Sequence, residues 1–165
     1  MPECPERLDL GKLNHQAYMG RLFMVGDSAT GTALVGTDFV LFNPGSKGLP
    51  IRAISVRVST NLAATVTFGT VYQDPALAAG NLSSNLYLGG MAPQALNQAE
   101  AAAPIVPLTT LALVGVPVTA AYELLSPAVA FIPPGYGLVV SFPIAVAVNA
   151  VSWLWAELPA PDQDN

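Results

Sequence analysis

The chain has 165 residues, which predicts one domain, large enough to bury a stable core without a disulfide or a structural metal. Hydrophobic residues make up 52% and charged residues only 10% of the sequence, so burial in an oligomer or a larger assembly is expected. All six Lys and Arg residues lie at or before Arg57, and the six acidic residues beyond it give the chain its net charge of −5. Nothing forms the cluster of cations that nucleic-acid phosphates require, so a nucleic-acid-binding function is excluded.

Residues 1–20 carry few strand signals, and Leu8, Leu10 and Leu13 are only loosely spaced. We predict an extended N-terminal arm over this range. Such arms either order against a partner or fray at a terminus, and the residues favour neither outcome. Cys4 has no second cysteine to pair with, and the first residues are too polar for a signal peptide. Synthesis in a reducing cytoplasm is therefore expected.

The first strand is predicted over Arg21–Val25, followed by a loop over Gly26–Gly31, because the loop residues are typical turn formers. Its Gly-Asp-Ser triplet is superficially similar to the nucleophile block of GDS-type lipases. A serine nucleophile needs a base, and the single histidine, His15, falls in the polar arm. We interpret the triplet as a plain turn.

The segment Asp38–Tyr72 predicts three strands separated by a tight turn and a bend. Ile54, Val56 and Val58 alternate with polar residues, which is typical of a half-buried antiparallel strand. The turn is Asn43–Gly48, where Asn, Pro and two glycines favour chain reversal.

A long excursion is predicted over Ala76–Pro107. Within it, Gln94–Ala103 is rich in alanine and predicts a short helix. Strands resume after it, at Leu108–Val114, Thr119–Leu125, Val129–Ile132, Gly137–Phe142 and Val151–Leu158. Residues 21–158 are thus predicted to form the folded domain, and residues 159–165 an acidic tail.

The last strand carries apolar groups on both faces, so it is predicted to be buried on two sides. Trp153, Trp155 and Glu157 share one face. Two interpretations stay open for the tryptophans: packing in the core, and a subunit interface, where tryptophan is common at binding hot spots.

Two units of the sequence resemble small jelly-roll proteins on the virions of tailed bacteriophages. One is the strand–turn–strand unit around Asn43–Gly48, although the small residue usual after its proline is absent and Lys47 precedes the second glycine. The other is the Pro-Pro-Gly-Tyr-Gly unit of Ile132–Val140, followed by the Trp-Leu-Trp-Ala-Glu segment of the last strand. Short strands between Gly and Pro turns predict an all-β fold, a two-sheet antiparallel β-sandwich. The resemblance specifies a jelly roll with an extended N-terminal arm.

The resemblance further implies a capsid cement or decoration protein. Its partners would be the major capsid protein and further copies of itself, as a homotrimer, and it would lie on the capsid surface after synthesis in the host cytoplasm. The cation-bearing part of the chain is predicted to face an acidic capsid, although chance in a charge-poor chain explains the asymmetry equally well. The predicted capsid contacts are Leu8, Leu10, Lys12, Leu13, Tyr18 and Arg21; the predicted subunit contacts are Trp153, Trp155 and Glu157.

Two alternatives remain: a trimeric receptor-binding or glycan-adhesion module with a jelly-roll fold, and a small β-sandwich enzyme. Glu123 and Glu157 both fall in predicted strands and could meet as a carboxylate pair, which by itself is weak support for glycoside chemistry. No spacing matches a zinc or calcium site. We therefore predict no catalytic, cofactor or metal residues. Ala128–Leu158 is hydropathic, but Pro and Gly divide it into runs shorter than the ~20 residues that span a bilayer, so no membrane segment is predicted.

Overall fold

The computed structural model describes residues 21–30, 36–44, 50–72, 84–85, 95–100, 109–118, 120–125, 130–143 and 147–157. These ranges hold eleven strands and no helix, which confirms the predicted all-β fold. The strands are β1 Leu22–Thr30, β2 Thr37–Phe42, β3 Ile51–Thr60, β4 Ala64–Tyr72, β5 Ser84–Asn85, β6 Leu96–Glu100, β7 Thr109–Val116, β8 Tyr122–Leu125, β9 Ala130–Ile132, β10 Tyr136–Phe142 and β11 Val148–Glu157.

The strands form two antiparallel sheets that pack face to face, as predicted for a β-sandwich. The six-stranded sheet has the order β5-β1-β11-β3-β8, with β9 also paired to β3, and the five-stranded sheet has the order β6-β2-β10-β4-β7. The pairs are nested: β1 pairs with β11, β2 with β10, β3 with β8 and β9, and β4 with β7. Strands β1 to β4 thus pair with the later strands in reverse order, and successive pairs lie alternately in the two sheets.

The core lies between the inner faces of the two sheets, where every second residue of the central strands is buried. Phe23 of β1 stacks on Trp155 of β11, with ring centroids 5.7 Å apart. On the other sheet, Phe39 and Phe142 meet edge to face at 5.8 Å. These pairs bury large apolar areas and add specific ring contacts, so each pair helps to hold two neighbouring strands of its sheet together.

The first strand is longer than the sequence predicts. The prediction of a loop from Gly26 is wrong, because β1 continues to Thr30 and pairs with β11 along its whole length. Asp27 and Ser28, the last two residues of the Gly-Asp-Ser triplet, lie within the paired strand. Turn-forming residues adopt strand geometry here because the ladder to β11 satisfies their backbone donors and acceptors.

The predicted helix at Gln94–Ala103 is also wrong where the chain is described. Leu96–Glu100 forms β6, which pairs in register with β2. Helix propensity is a weak preference of a few tenths of a kcal/mol per residue, and pairing along the exposed edge of β2 outweighs it.

The face of Ile54 differs from the predicted alternation. Val56 and Val58 belong to the core between the sheets, as predicted. A bulge leaves Ile54 without a partner between the pairs Ser55–Leu154 and Ala53–Trp155, and it packs on the outer face in a small cluster with Leu22 and Ala156. A bulge inserts one residue, which reverses the facing of every residue on one side of it.

The predicted arm, the acidic tail and most of the Asn43–Gly48 turn lie outside the described residues. The other predicted strands are present, with ends that differ by up to three residues.

Candidate functional site

Five of the six predicted capsid contacts, Leu8, Leu10, Lys12, Leu13 and Tyr18, lie outside the described residues. Arg21 is described and half-buried. Its carbonyl oxygen accepts a hydrogen bond from the backbone N–H of Glu157 at 3.0 Å. The arm segment therefore joins the sandwich beside the last residue of β11.

The predicted subunit contacts lie inside the protein. Trp153 is 1% and Trp155 0% exposed, and both side chains belong to the core between the sheets of one chain. Glu157 is also buried, and its Oε1 accepts a hydrogen bond from the backbone N–H of Ala95 at 3.2 Å. The burial supports the core-packing interpretation of the tryptophans, because buried side chains present no surface to another subunit.

Asn43, the first residue of one turn unit that carries the resemblance, contacts the other unit at this same end of the sandwich. Asn43 is 0% exposed, and its side-chain amide donates to the carbonyl oxygen of Ile132 at 3.0 Å. Its backbone N–H donates to Tyr136 O at 2.9 Å, and its carbonyl oxygen accepts from Gly135 N–H at 2.8 Å. One asparagine thus joins the end of β2 to the turn between β9 and β10, and so ties the two sheets together.

The β9–β10 connection is a tight turn whose residues match its geometry. Tyr136 N–H donates to Pro133 O at 3.2 Å, and Gly135 has a φ of 81°. Proline at the second position and glycine with positive φ at the third are typical of a type II turn. The Pro-Pro-Gly sequence therefore presets the loop that Asn43 holds.

We call this end of the sandwich the arm end: it comprises Arg21, Asn43, Tyr72, the turn 133–136 and Glu157. Its surface is aromatic. Tyr72 is 54% exposed, and its ring lies 4.8 Å from that of Tyr136. Nearby on the six-stranded sheet, Phe131 is 63% exposed beside its strand partner Arg52, and the buried Nε of Arg52 has no hydrogen-bond partner within the described ranges. Exposed rings and a nearby guanidinium are groups that interfaces favour.

The outer face of the six-stranded sheet holds a shallow depression of about 450 Å³. Its floor is built from small residues on neighbouring strands, namely Gly26, Ser28, Ser59, Ala150 and Ser152. Arg57 borders it and approaches Glu123 at 3.7 Å, while Ser55 donates to the same carboxylate at 2.8 Å. The Arg57 side chain is 64% exposed, so this ion pair contributes at most about 1 kcal/mol.

Glu123 and Glu157 do not meet. Glu123 is paired with Arg57 on the outer face of the sheet, whereas Glu157 is paired with Ile51, which faces the core. The sheet itself separates the two carboxylates, so the arrangement offers no acid–base pair of the kind that glycoside hydrolysis uses.

Strand β7 is the surface that the sequence reasoning missed. It forms the edge of the five-stranded sheet and exposes Leu111 and Leu113. A signal was present: no charged residue occurs between Glu100 and Glu123. Only the pairing order shows that this uncharged segment is an edge.

Among the described residues, no three His, Cys, Asp or Glu side chains are placed to hold a metal ion. The described part also contains no helix long and apolar enough to cross a membrane. Comparison with known proteins finds no matching family model, curated protein or solved structure.

Proposed function

We propose that the chain is a structural virion protein, a capsid cement or decoration protein that binds the major capsid lattice. The observation that carries the proposal is the nested pairing of β1 with β11, β2 with β10, β3 with β8 and β9, and β4 with β7. Nested pairing of this kind over two sheets is expected of a jelly roll, a fold frequent in viral capsid proteins, and therefore supports the proposal. Because one fold serves many functions, the proposal also needs support from particular residues.

That support comes from the arm end. The two turn units resembling phage head proteins lie far apart in the sequence, yet Asn43 contacts Ile132, Gly135 and Tyr136 directly. Arg21, which directly follows the predicted arm, lies at the same end. A capsid contact made by the part of the arm next to Arg21 would lie close to Tyr72 and Tyr136, whose exposed rings could enlarge the contact area.

Stabilisation of the shell would follow from mass action. A protein that binds only the assembled lattice lowers the free energy of that lattice by the binding free energy, and this stabilisation is repeated at every occupied site. Association of the chain into a homo-oligomer, a trimer by the resemblance, would add avidity, because each further contact becomes intramolecular after the first.

A second candidate, a glycan-adhesion module of the virion, is favoured by the exposed aromatics. Tyr72, Tyr136 and Phe131 present partly open rings at one end of a rigid sandwich. Lectin domains share the jelly-roll fold, and aromatic faces are surfaces on which apolar sugar faces can pack.

The two candidates separate in one comparison. Full-length protein is incubated with expanded phage capsids, and particles with and without the protein are imaged by cryo-electron microscopy. The same protein preparation is screened for binding to immobilised glycans. We expect regular added density on the capsid lattice and a higher temperature of genome release. Absence of lattice density would refute the cement function, and glycan binding lost in Tyr72→Ala would then support adhesion.

A further inference from the structure

The β7 edge, defined as Thr109–Val116, is an exposed strand, and within the part of the chain that the structure describes one of its sides has no partner strand. It pairs with β4 on its other side and is the terminal strand of its sheet. Leu111 and Leu113 are 51% and 68% exposed, which makes Leu113 the most exposed large apolar side chain of the described residues. An open edge strand presents a row of unpaired backbone donors and acceptors that another strand can pair with.

The inward side of this edge is only partly covered. Ala112 and Val114 point into the sandwich and pack against the core, yet both remain half-buried. Leu124 of β8, the strand at the corresponding edge of the six-stranded sheet, is likewise only partly buried against the core. The core is therefore less closed along this edge than along the central strands, whose inward residues are fully buried.

The edge also has few of the features that normally keep edge strands from associating. Natural edges carry lysine, proline, inward charges or bulges. β7 contains no charged residue and no proline. A bulge does occur at Leu111, between the pairs Phe68–Ala112 and Gly69–Thr110, but the five residues 112–116 beyond it pair regularly with β4.

We propose that the β7 edge pairs with a second copy of this chain, through 112–116. Two features favour another copy over a different protein. The composition, with 10% charged residues, predicts self-association of the chain as a whole. An antiparallel edge is also self-complementary, since a two-fold axis brings its donors opposite its own acceptors and the Leu113 side chains of both copies to one face. Cross-strand apolar pairs of this kind contribute about 0.2–1 kcal/mol each.

The inference goes beyond the proposed function, because β7 paired with itself gives a two-fold dimer rather than a trimer, and its test needs no capsid. Wild-type protein is compared with Leu113→Lys by sedimentation velocity over a range of micromolar concentrations. We expect the wild type to sediment as an oligomer and Leu113→Lys to weaken association about tenfold or more, because like charges meet across the joined edge. Met24→Lys is the matched control, since Met24 is also an exposed apolar strand residue (45%) but lies on β1 of the other sheet.

Hydrogen exchange on the wild type gives a readout that does not depend on a substitution. Amides of 112–116 that point away from β4 should exchange slowly in the oligomer and fast after dilution to monomer. Circular dichroism and melting of Leu113→Lys verify that it folds. The mass tests the symmetry: an even number of copies fits β7 paired with itself, whereas a trimer would overturn this two-fold pairing.

Three further results would overturn the proposal. One is a wild type that stays monomeric at all concentrations. Another is an oligomer in which the outward amides of 112–116 exchange as fast as in the monomer. The third is equal weakening by Leu113→Lys and Met24→Lys. Loss of capsid binding with an intact β7 contact would instead refute the proposed function alone.

Discussion

Replacing Asn43 by alanine should destabilise the sandwich more than the loss of an ordinary side-chain hydrogen bond would. The amide of Asn43 is fully buried and donates to Ile132 O at 3.0 Å. Removing the donor leaves that buried carbonyl oxygen without its side-chain donor. The penalty for a buried polar group left without a partner is about 1–3 kcal/mol, against a net gain near 1 kcal/mol for an ordinary bond.

Asn61 provides a matched control at the opposite end of the molecule. Its side chain also makes a hydrogen bond to the backbone, with Oδ1 accepting from Val148 N–H at 2.8 Å. That contact is exposed, so water replaces the lost acceptor in Asn61→Ala. We expect Asn61→Ala to lower the free energy of unfolding by about 0.5–1 kcal/mol, less than Asn43→Ala does.

The difference is measurable by urea unfolding at one protein concentration, which must be held equal because oligomers gain apparent stability with concentration. The Asn43 variant should shift the midpoint to lower urea with an unchanged slope. In a melting experiment each kcal/mol corresponds to about 2–4 °C for a chain of this length. Equal losses of unfolding free energy for the two variants would show that burial does not set the strength of the Asn43 contact. They would also refute the role of Asn43 in tying the two sheets together at the arm end.

Three further outcomes are expected. Gly36→Ala should lower the free energy of unfolding in urea by about 2 kcal/mol or more, because the new Cβ would overlap the carbonyl oxygen of Phe142. Gly26→Ala should be nearly neutral, because no heavy atom lies within 4 Å of the added Cβ; similar losses for the two variants would contradict the close packing at Gly36. Trp153→Ala should lose about 3–5 kcal/mol by the same assay because it opens a cavity between the sheets, and a loss below about 1 kcal/mol would place the side chain outside the core. Removal of residues 1–20 should leave the circular dichroism and oligomer mass unchanged but abolish co-sedimentation with expanded capsids; unfolding would show that the arm belongs to the core, and unchanged binding would refute its docking role.

The strands of the Asp38–Tyr72 segment and of the C-terminal third could be predicted because their periodicity and turn residues are local. Val56 and Val58 face the core as their alternation indicates. Prediction failed where a distant strand decided the outcome. The Gly26–Thr30 segment extends because β11 pairs with it, and Leu96–Glu100 is a strand because β2 offers an open edge.

The candidate site followed the same division. Asn43 and the Pro-Pro-Gly unit were recognisable in the sequence, yet nothing in it showed that they contact each other across 89 positions. The pairing of Glu123 with Arg57, and its separation from Glu157, depend on strand register, which a single bulge shifts. Such contacts cannot be derived from residue types alone.

By itself, the sequence determined the all-β class, the position of most strands and the type II turn at Pro133–Tyr136, because strand alternation and the φ preferences of Pro and Gly act within a few residues. Tertiary structure decided which strand became the open edge β7, which face Ile54 took, and that both tryptophans lie in the core. The physical reason is that burial and edge exposure are properties of the assembled sheets. They depend on hydrogen-bond partners and neighbours supplied by strands far away in the chain, and these outweigh local preferences of a fraction of a kcal/mol.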